Sequence, residues 1–241
     1  MQLYYIRHAQ STNNAIWAAT GAEQGRSHDP ELTEIGLRQA EATAEFLSRT
    51  GPAAADARDV QNRAGFGLTH LHCSLMVRAV ATGAIIAARL GLPVHAWVDW
   101  HEEGGLYLDD LVKGERVGYP GYGRAYFAEK YPVLVMPETL GDAGWWGKPF
   151  EDETDRPARA RRVLADLLER YGQTDARVGI VSHGGFYNHF LAAIMGLPER
   201  MPVFHAMNNC AISRFVFEPE RRTFIAYQNR ADWLPNELLT V

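Results

Sequence analysis

The chain alternates between short, dense runs of apolar residues and longer stretches in which apolar residues recur every three or four positions. The dense runs are rich in β-branched, aromatic and leucine residues and predict strands at residues 3–6, 66–73, 94–97, 177–182, 211–218 and 223–228. The periodic stretches predict helices at residues 11–19, 34–49, 75–90, 124–131, 155–171 and 186–195. The last two strands either form a hairpin or pair separately with the sheet.

Residues near the helix ends sharpen these boundaries. Ser74 is placed to cap the helix 75–90, and Thr154 to cap the helix 155–171. Gly51 and Pro52 predict the end of the helix 34–49. The buried face of that helix, predicted from its spacing, consists of Leu37, Ala40, Ala44 and Leu47. Because strands and helices alternate, the pattern predicts an α/β fold with a parallel sheet and right-handed crossovers.

Residues 106–150 interrupt this alternation with many glycines and aromatic side chains and only one short predicted helix. The segment is too short to bury a core of its own. We therefore expect a single domain over residues 1–241 with an inserted cap at about 106–150. The alternative is a surface excursion packed by its own aromatic residues. Trp145 and Trp146 either form a wall for a substrate or pack inside the cap.

Composition narrows the class of protein. The 241 residues are 46% hydrophobic and 22% charged, as in a globular protein with a sizeable core. A net charge of -5 argues against a nucleic-acid partner but leaves room for a local basic pocket. Cys73 and Cys210 form neither a metal-type pair nor a disulfide framework, which favours a cytoplasmic location. With no signal-like opening and no membrane-length apolar run, we expect no membrane partner.

Polar residues with phosphate chemistry follow three of the predicted strands. Arg7 and His8 end the first strand, Arg78 comes shortly after the second, and His183 follows the strand 177–182. Parallel strands place their carboxyl ends at one edge of the sheet, so we expect these side chains to converge on one pocket. Arginine side chains and helix N-termini both favour a dianion of phosphate size.

Four motifs, in this order along the chain, resemble those of the histidine phosphatase superfamily, the phosphoglycerate mutase-like proteins. They are Arg7-His8-Ala9-Gln10-Ser11-Thr12-Asn13-Asn14, Asp29-Pro30-Glu31-Leu32-Thr33-Glu34-Ile35-Gly36-Leu37-Arg38-Gln39-Ala40, Ser74-Leu75-Met76-Val77-Arg78-Ala79-Val80-Ala81-Thr82 and Ser182-His183-Gly184-Gly185. Ala9 stands where the family usually has glycine, and Leu75 where it usually has proline. Because alanine disfavours a positive φ, we expect an ordinary backbone at Ala9.

The resemblance implies a three-layer α/β/α sandwich with a mostly parallel central sheet and a small inserted cap. It also implies that His8 attacks phosphorus and carries a phosphohistidine intermediate. Arg7, Arg78 and His183 would neutralise the transition state, and Glu102 would donate the proton to the leaving oxygen. The residues expected to bind the substrate phosphate are Arg7, Asn14, Arg78, His183 and Gly184. No metal or other cofactor is expected, because the arginines supply the positive charge.

Several alternatives stay open at this stage. Glu103 rivals Glu102 as the acid, and His101 either lines the pocket or faces solvent. His70 and His72 alternate on one strand face, but without a third ligand we favour packing or surface roles over a metal pair. The expected function is metal-independent hydrolysis of a small phosphomonoester. A phosphoglycerate mutase-type phosphotransferase comes second and a non-catalytic binding module third, and a homo-oligomer is compatible with each.

Overall fold

The computed structural model describes residues 1–49, 59–110, 112–199, 201–218 and 222–241. In chain order its strands are β1 (Gln2–Arg7), β2 (His70–Cys73), β3 (Val94–Ala96), β4 (Tyr107–Asp110), β5 (Glu115–Gly118), β6 (Leu134–Val135), β7 (Arg177–Ser182), β8 (Ile212–Phe217) and β9 (Thr223–Arg230). Seven of them form one sheet in the order β6-β3-β2-β7-β1-β8-β9, and β4 pairs with β5 in a separate two-stranded sheet.

The central sheet is mostly parallel, as the sequence predicts. Neighbours among β1, β2, β3, β6 and β7 pair in parallel, whereas β8 runs antiparallel to β1 and β9 antiparallel to β8. The last two strands thus form a hairpin, which decides between the two predicted pairings. In the parallel register Arg7 lies opposite Ser182 and Cys73 lies opposite Val181. The carboxyl ends of β1, β2 and β7 therefore meet at one edge.

Helices cover both faces of this sheet. They are α1 (Thr12–Thr20), α2 (Glu34–Leu47), α3 (Val77–Leu90), α4 (Arg124–Lys130), α5 (Asp155–Tyr171) and α6 (Gly184–Ile194). Because side chains alternate along a strand, Leu3 and Tyr5 of β1 join one core with residues of α5 and α6, while Tyr4 and Ile6 join another with residues of α2 and α3. The result is the expected three-layer α/β/α sandwich.

One predicted helix cap is wrong and one is correct in position only. Ser74 does not cap α3, whose N-cap is Met76; instead Asp29 Oδ1 accepts a hydrogen bond from Val77 N over 2.9 Å. Thr154 is the N-cap residue of α5, as predicted, but its side chain makes no capping bond and its hydroxyl donates to Asp152. The helix end predicted at Gly51 and Pro52 lies outside the described residues.

The predicted buried face of α2 is correct except at one position. Ala40, Ala44 and Leu47 are buried, but Leu37 is 45% exposed. The buried face includes the polar residue Gln39, whose Oε1 accepts from Gln10 N and whose Nε2 donates to Leu238 O. Hydrogen bonding to the backbone lets this amide replace an apolar side chain, which periodicity alone does not reveal.

Two segments contain different elements from those predicted. Strand β2 begins at His70, so residues 66–69 precede the strand. Within 106–150 the structure has the predicted helix α4 and also β4, β5 and β6, the last of which pairs with β3. The division into one domain with a cap stays a prediction. Among the described residues, the structure contains no helix with the length and apolar composition needed to span a bilayer.

Candidate active site

The carboxyl edge of the sheet brings together the four side chains that the sequence singles out. Arg7 is the last residue of β1, His8 follows it, and His183 is the N-cap of α6 after β7. Arg78 lies in the first turn of α3. The rings of His8 and His183 have centroids 5.1 Å apart, and the Nε of Arg78 lies 3.1 Å from Nε2 of His8.

Hydrogen bonds select one tautomer of the His8 ring. Its Nδ1 lies 2.7 Å from the carbonyl oxygen of Ala9, and this oxygen can only accept, so Nδ1 carries the proton. Nε2 is then the lone-pair nitrogen, and it accepts from Arg78 Nε. Burial, followed by the charges of Arg78 and Arg7, holds the pKa of His8 well below its usual value. The ring is therefore neutral and has the protonation state of a nucleophile at Nε2.

Both arginines are buried at this edge. Burial lowers the pKa of Arg7 to about 10, and it also lowers the pKa of Arg78. The Arg7 side chain donates to the carbonyl oxygen of Met207. Arg78 is accompanied by the buried carboxyl of Asp29, whose pKa is raised by burial to about 7. The carboxyl of Glu102 also acts on both guanidinium groups. Two buried guanidinium groups near Asp29 and Glu102 form a site suited to an anion.

Ser74 sets the orientation of His183. The Ser74 hydroxyl lies 2.6 Å from His183 Nε2, and it accepts a longer bond from Met76 N. The hydroxyl has one proton and two lone pairs, so it can donate to Nε2 while it accepts from Met76 N, and the ring proton then lies on Nδ1. This Nδ1 is buried and has no hydrogen-bond partner among the described residues. His183 therefore presents one unused N–H donor in the cluster.

The two candidate acids make different contacts. Glu102 accepts from the backbone N–H groups of Gly185 and Phe186 at the start of α6, over 3.1 and 2.7 Å. Glu103 Oε2 instead accepts from Arg156 Nη1 and His189 Nε2, each over 3.0 Å. The bond from His189, with the charge of Arg156, lowers the pKa of Glu103. Since an acid must hold a proton before giving it, this pairing disfavours Glu103.

The remaining predicted site residues lie close by with differing contacts. Asn14 Oδ1 accepts from the N–H and hydroxyl of Ser11, in a capping box that starts α1. Gly184 sits against Arg7, where an added Cβ would lie 3.3 Å from Nε. A phosphate contact for either residue stays a prediction. Ala9 has an ordinary backbone, as expected, because the described non-glycine residues with a positive φ are Asn62, Cys210 and Asn229.

A late segment braces the nucleophile loop, and the sequence pattern did not reveal it. Asn209 Nδ2 donates to the carbonyl oxygen of His8 over 3.1 Å, and Cys210 N donates to that of Arg7 over the same distance. Cys210 has φ 61, a conformation that favours glycine. Thr82 holds the loop from the other side by accepting from Ala9 N over 3.0 Å. A positive φ at a non-glycine residue leaves no signature in the sequence.

The aromatic and histidine alternatives are resolved by packing. Trp146 is buried and packs with Met76 and Leu106, and the ring of His101 lies against both Trp145 and Trp146. His101 is buried rather than solvent-facing. His72 Nε2 lies 2.9 Å from the hydroxyl of Tyr171, and the buried ring of His72 packs against Trp97. These contacts favour the packing interpretation for the tryptophans and for His72.

A cavity of about 400 Å³ opens from this cluster to solvent. Its described lining residues are Asn13, Trp17, Glu23, Arg26, His28, Arg78, Glu102, Glu103, Gly105, Tyr107, Gly185 and Phe204. Most of them come from α1, from the loop that follows it and from the segment that leads into β4. The cavity thus borders the buried cluster at Arg78 and Glu102, and most of its lining residues lie outside the cluster.

A parallel α/β/α sandwich with two histidines and two buried arginines at its carboxyl edge defines an enzyme of the histidine phosphatase type. A match to a known protein family supports this class of enzyme. Residues 3–230 match the histidine phosphatase superfamily (branch 1), and the chain belongs to this superfamily. The resemblance read from the four motifs is thereby confirmed.

Known relatives and solved structures are similar over nearly the full chain. A probable phosphoglycerate mutase, GpmB, from Yersinia pestis (strain Pestoides F) is 27% identical over 218 residues, which are 90% of this chain and 86% of that protein. A mycobacterial glucosyl-3-phosphoglycerate phosphatase has a TM-score of 0.58 at 20% identity, covering 95% and 99% of the two chains. Phosphoserine phosphatase from Entamoeba histolytica has a TM-score of 0.59 at 17% identity, covering 97% and 99%.

Proposed function

We propose that this protein is a metal-independent phosphatase that hydrolyses a small phosphomonoester through a phosphohistidine intermediate on His8. The observation that carries the proposal is the state of the His8 ring. Its Nε2 accepts from Arg78 Nε over 3.1 Å, and burial beside two guanidinium groups lowers its pKa. A neutral ring with its lone pair directed at an arginine is suited to attack a phosphorus atom bound by that arginine.

In the first step, His8 Nε2 forms a bond to phosphorus while the bond from phosphorus to the leaving oxygen breaks. Glu102 gives its proton to that oxygen, so the product is a neutral alcohol. Arg7, Arg78 and His183 donate to the phosphoryl oxygens and offset their charge. Two unused donors support this role, because Arg7 Nε and His183 Nδ1 are buried without a partner among the described residues.

In the second step, water attacks the phosphorus of the phosphohistidine and gives its proton to Glu102. The bond between phosphorus and Nε2 breaks, phosphate leaves and the lone pair returns to His8. We assign this proton transfer to Glu102 rather than Glu103. Both carboxyl groups line the cavity, but Arg156 and His189 occupy Glu103 Oε2 and lower the pKa of Glu103, whereas no charged side chain donates to Glu102 among the described contacts.

Trapping the intermediate tests the nucleophile. Enzyme mixed with a phosphorus-labelled ester and quenched in alkali, which preserves the P–N bond, should carry label on His8. The His8→Asn variant should show neither label nor turnover. The His95→Asn variant is the matched control, since His95 lies in β3 and outside the cavity lining. Turnover by His8→Asn at the wild-type rate would overturn the proposal.

Leaving-group dependence tests the acid. An alkyl phosphate needs its leaving oxygen protonated, whereas a nitrophenyl phosphate leaves readily without help. Glu102→Gln should therefore lower kcat/KM, which reports on the first step, about 100-fold or more for an alkyl phosphate and far less for 4-nitrophenyl phosphate. Glu103→Gln should lower both similarly. The reverse pattern would transfer the acid role to Glu103.

A mutase is the second candidate, because the 27% identical relative is named a probable phosphoglycerate mutase. It would use the same residues and return the phosphate to the substrate before water attacks. A coupled mutase assay with and without a bisphosphate primer separates the two. Isomerisation outpacing phosphate release would favour the mutase, and phosphate release alone would favour the phosphatase.

We also propose a cytoplasmic location. Cys73 and Cys210 are free and buried. This agrees with a reducing environment.

A further inference from the structure

Two exposed aromatic side chains, Trp17 and Phe204, line the cavity beside the catalytic cluster, and we call them the aromatic rim. Trp17 of α1 is 55% exposed and Phe204 is 70% exposed, and both line the same cavity as Arg78 and Glu102. None of the α1 residues is buried, so Trp17 is not held there by a core. Large exposed apolar side chains that share one cavity are typical of a binding surface.

The apolar surface continues beyond Phe204. A second cavity of about 350 Å³ shares Glu103, Gly185 and Phe204 with the first. Its described lining also includes Met201, Pro202 and Val203, of which Val203 is 61% exposed. The other lining residues of this second cavity are polar: Glu153, Arg156, Asn188 and His189. The apolar surface that begins at Phe204 thus continues along one side of the second cavity.

The charges of the rim are already paired. Arg26 forms an ion pair with Glu23, and its guanidinium lies 5.5 Å from the Tyr107 ring centroid. Arg78 is directed at His8, where the phosphate itself would bind. His28 stacks on a tyrosine ring, and burial lowers its pKa, so it is neutral near pH 7. A second anion on the substrate would therefore meet Arg26 already paired with Glu23 and, in the second cavity, Arg156 already paired with Glu103.

We propose that the leaving group carries an uncharged, planar apolar part that packs against Trp17 and Phe204, and that it carries no second anionic group. The inference rests on the proposed phosphatase function of the same site. It narrows the proposed substrate class to esters that differ from the acidic substrates in the names of similar proteins. Stacking would hold the leaving group, while Glu23 would keep the nearby guanidinium from attracting a carboxylate.

Three alkyl phosphates with similar leaving oxygens test the inference. Ethyl phosphate is the reference. Relative to it, 2-phenylethyl phosphate carries an additional neutral ring and 3-phosphoglycerate an additional carboxylate. We expect kcat/KM for 2-phenylethyl phosphate to exceed that for each of the others by about tenfold or more, as a ring contact with two aromatic side chains provides.

Variants locate the preference. Trp17→Ala and Phe204→Ala should each lower the ratio of kcat/KM for 2-phenylethyl phosphate to that for ethyl phosphate by about 3- to 10-fold. Phe224→Ala is the matched control, because Phe224 is an exposed phenylalanine of β9 outside the cavity lining, and it should leave the ratio unchanged. Glu23→Gln should raise kcat/KM for 3-phosphoglycerate relative to 2-phenylethyl phosphate, because it frees Arg26.

Labelling of His8 with each ester separates this inference from the function on which it rests. If ethyl phosphate labels His8 but the ring gives no advantage, or if 3-phosphoglycerate is preferred, the inference is overturned while the phosphatase proposal stands. If ratios in Trp17→Ala and Phe204→Ala equal those of the control, the aromatic rim has no such role. If no ester labels His8, the phosphatase proposal fails and this inference falls with it.

Discussion

The hydroxyl of Ser74 provides a sharp test of how the site is held. Ser74 is fully buried, lies 2.6 Å from His183 Nε2 and accepts from Met76 N. The Ser74→Ala change removes one oxygen atom and leaves the backbone of the segment intact. His183 Nε2 then lies buried without its partner, and nothing keeps the ring proton on Nδ1.

The magnitude follows from this burial. A buried polar group left without its hydrogen bond costs about 1–3 kcal/mol, so we expect the free energy of unfolding to fall by about 2 kcal/mol. For a chain of this length, each kcal/mol shifts Tm by roughly 2–4 °C, which gives a decrease of about 4–8 °C. Activity should fall more, by about 10- to 100-fold in kcat, because a displaced His183 no longer donates to the phosphoryl group.

Thermal unfolding by circular dichroism and steady-state hydrolysis of one alkyl phosphate measure the two effects. Ser48→Ala is the matched control, since the Ser48 hydroxyl donates to Glu45 O at the exposed end of α2. We expect that control to stay within about 0.5 kcal/mol of wild type and to keep full activity. A Ser74→Ala protein with the Tm and kcat of the control would refute the orienting role of this hydroxyl.

Three further predictions concern Gly36, which packs against the nucleophile loop, the buried carboxyl of Asp29 and the ring of His8. Gly36→Ala should lower Tm by several degrees, because its Cβ would lie 2.1 Å from Gln10 O, whereas Gly141→Ala, with nothing within 4 Å, should not. Burial raises the pKa of Asp29 to about 7, so its neutral form contributes stability that is fully present below pH 3.8 and is lost as pH rises through 7. The Tm of wild type minus that of Asp29→Asn should therefore fall between pH 5 and 8. A Tm difference that does not change with pH would contradict the raised pKa. Because burial and two guanidinium groups hold the pKa of His8 well below 6.5, an NMR titration of its ring in the free enzyme should show no midpoint near 6.5, and a midpoint there would be inconsistent with the buried ring.

Much of the architecture follows from local pattern. The apolar runs at β1 and β7 are buried on both faces, so their composition alone marks them as central strands. The glycine-rich, aromatic stretch 106–150 was predicted less well. Its strands β4, β5 and β6 are only two to four residues long. Strands β4 and β5 pair with each other and β6 pairs with the distant β3, so these strands form through their partners rather than through propensity.

The site divides in the same way. The chain itself determines which residues have phosphate chemistry, because Arg7, His8, Arg78 and His183 all follow strands that a parallel sheet must align at one edge. The family motifs point to the same four residues.

Only the tertiary structure decides the state and surroundings of those residues. The proton on His8 Nδ1 is held by the neighbouring carbonyl of Ala9, but the lowered pKa of this ring and the donor on its Nε2 depend on burial and on Arg78, which lies 70 positions away. The partner of His183 Nε2 is Ser74, 109 positions away. The aromatic rim consists of Trp17 and Phe204, which lie even farther apart along the chain. Hydrogen bonding and desolvation act over a few ångströms in space, whatever the separation along the chain, so no local pattern records them.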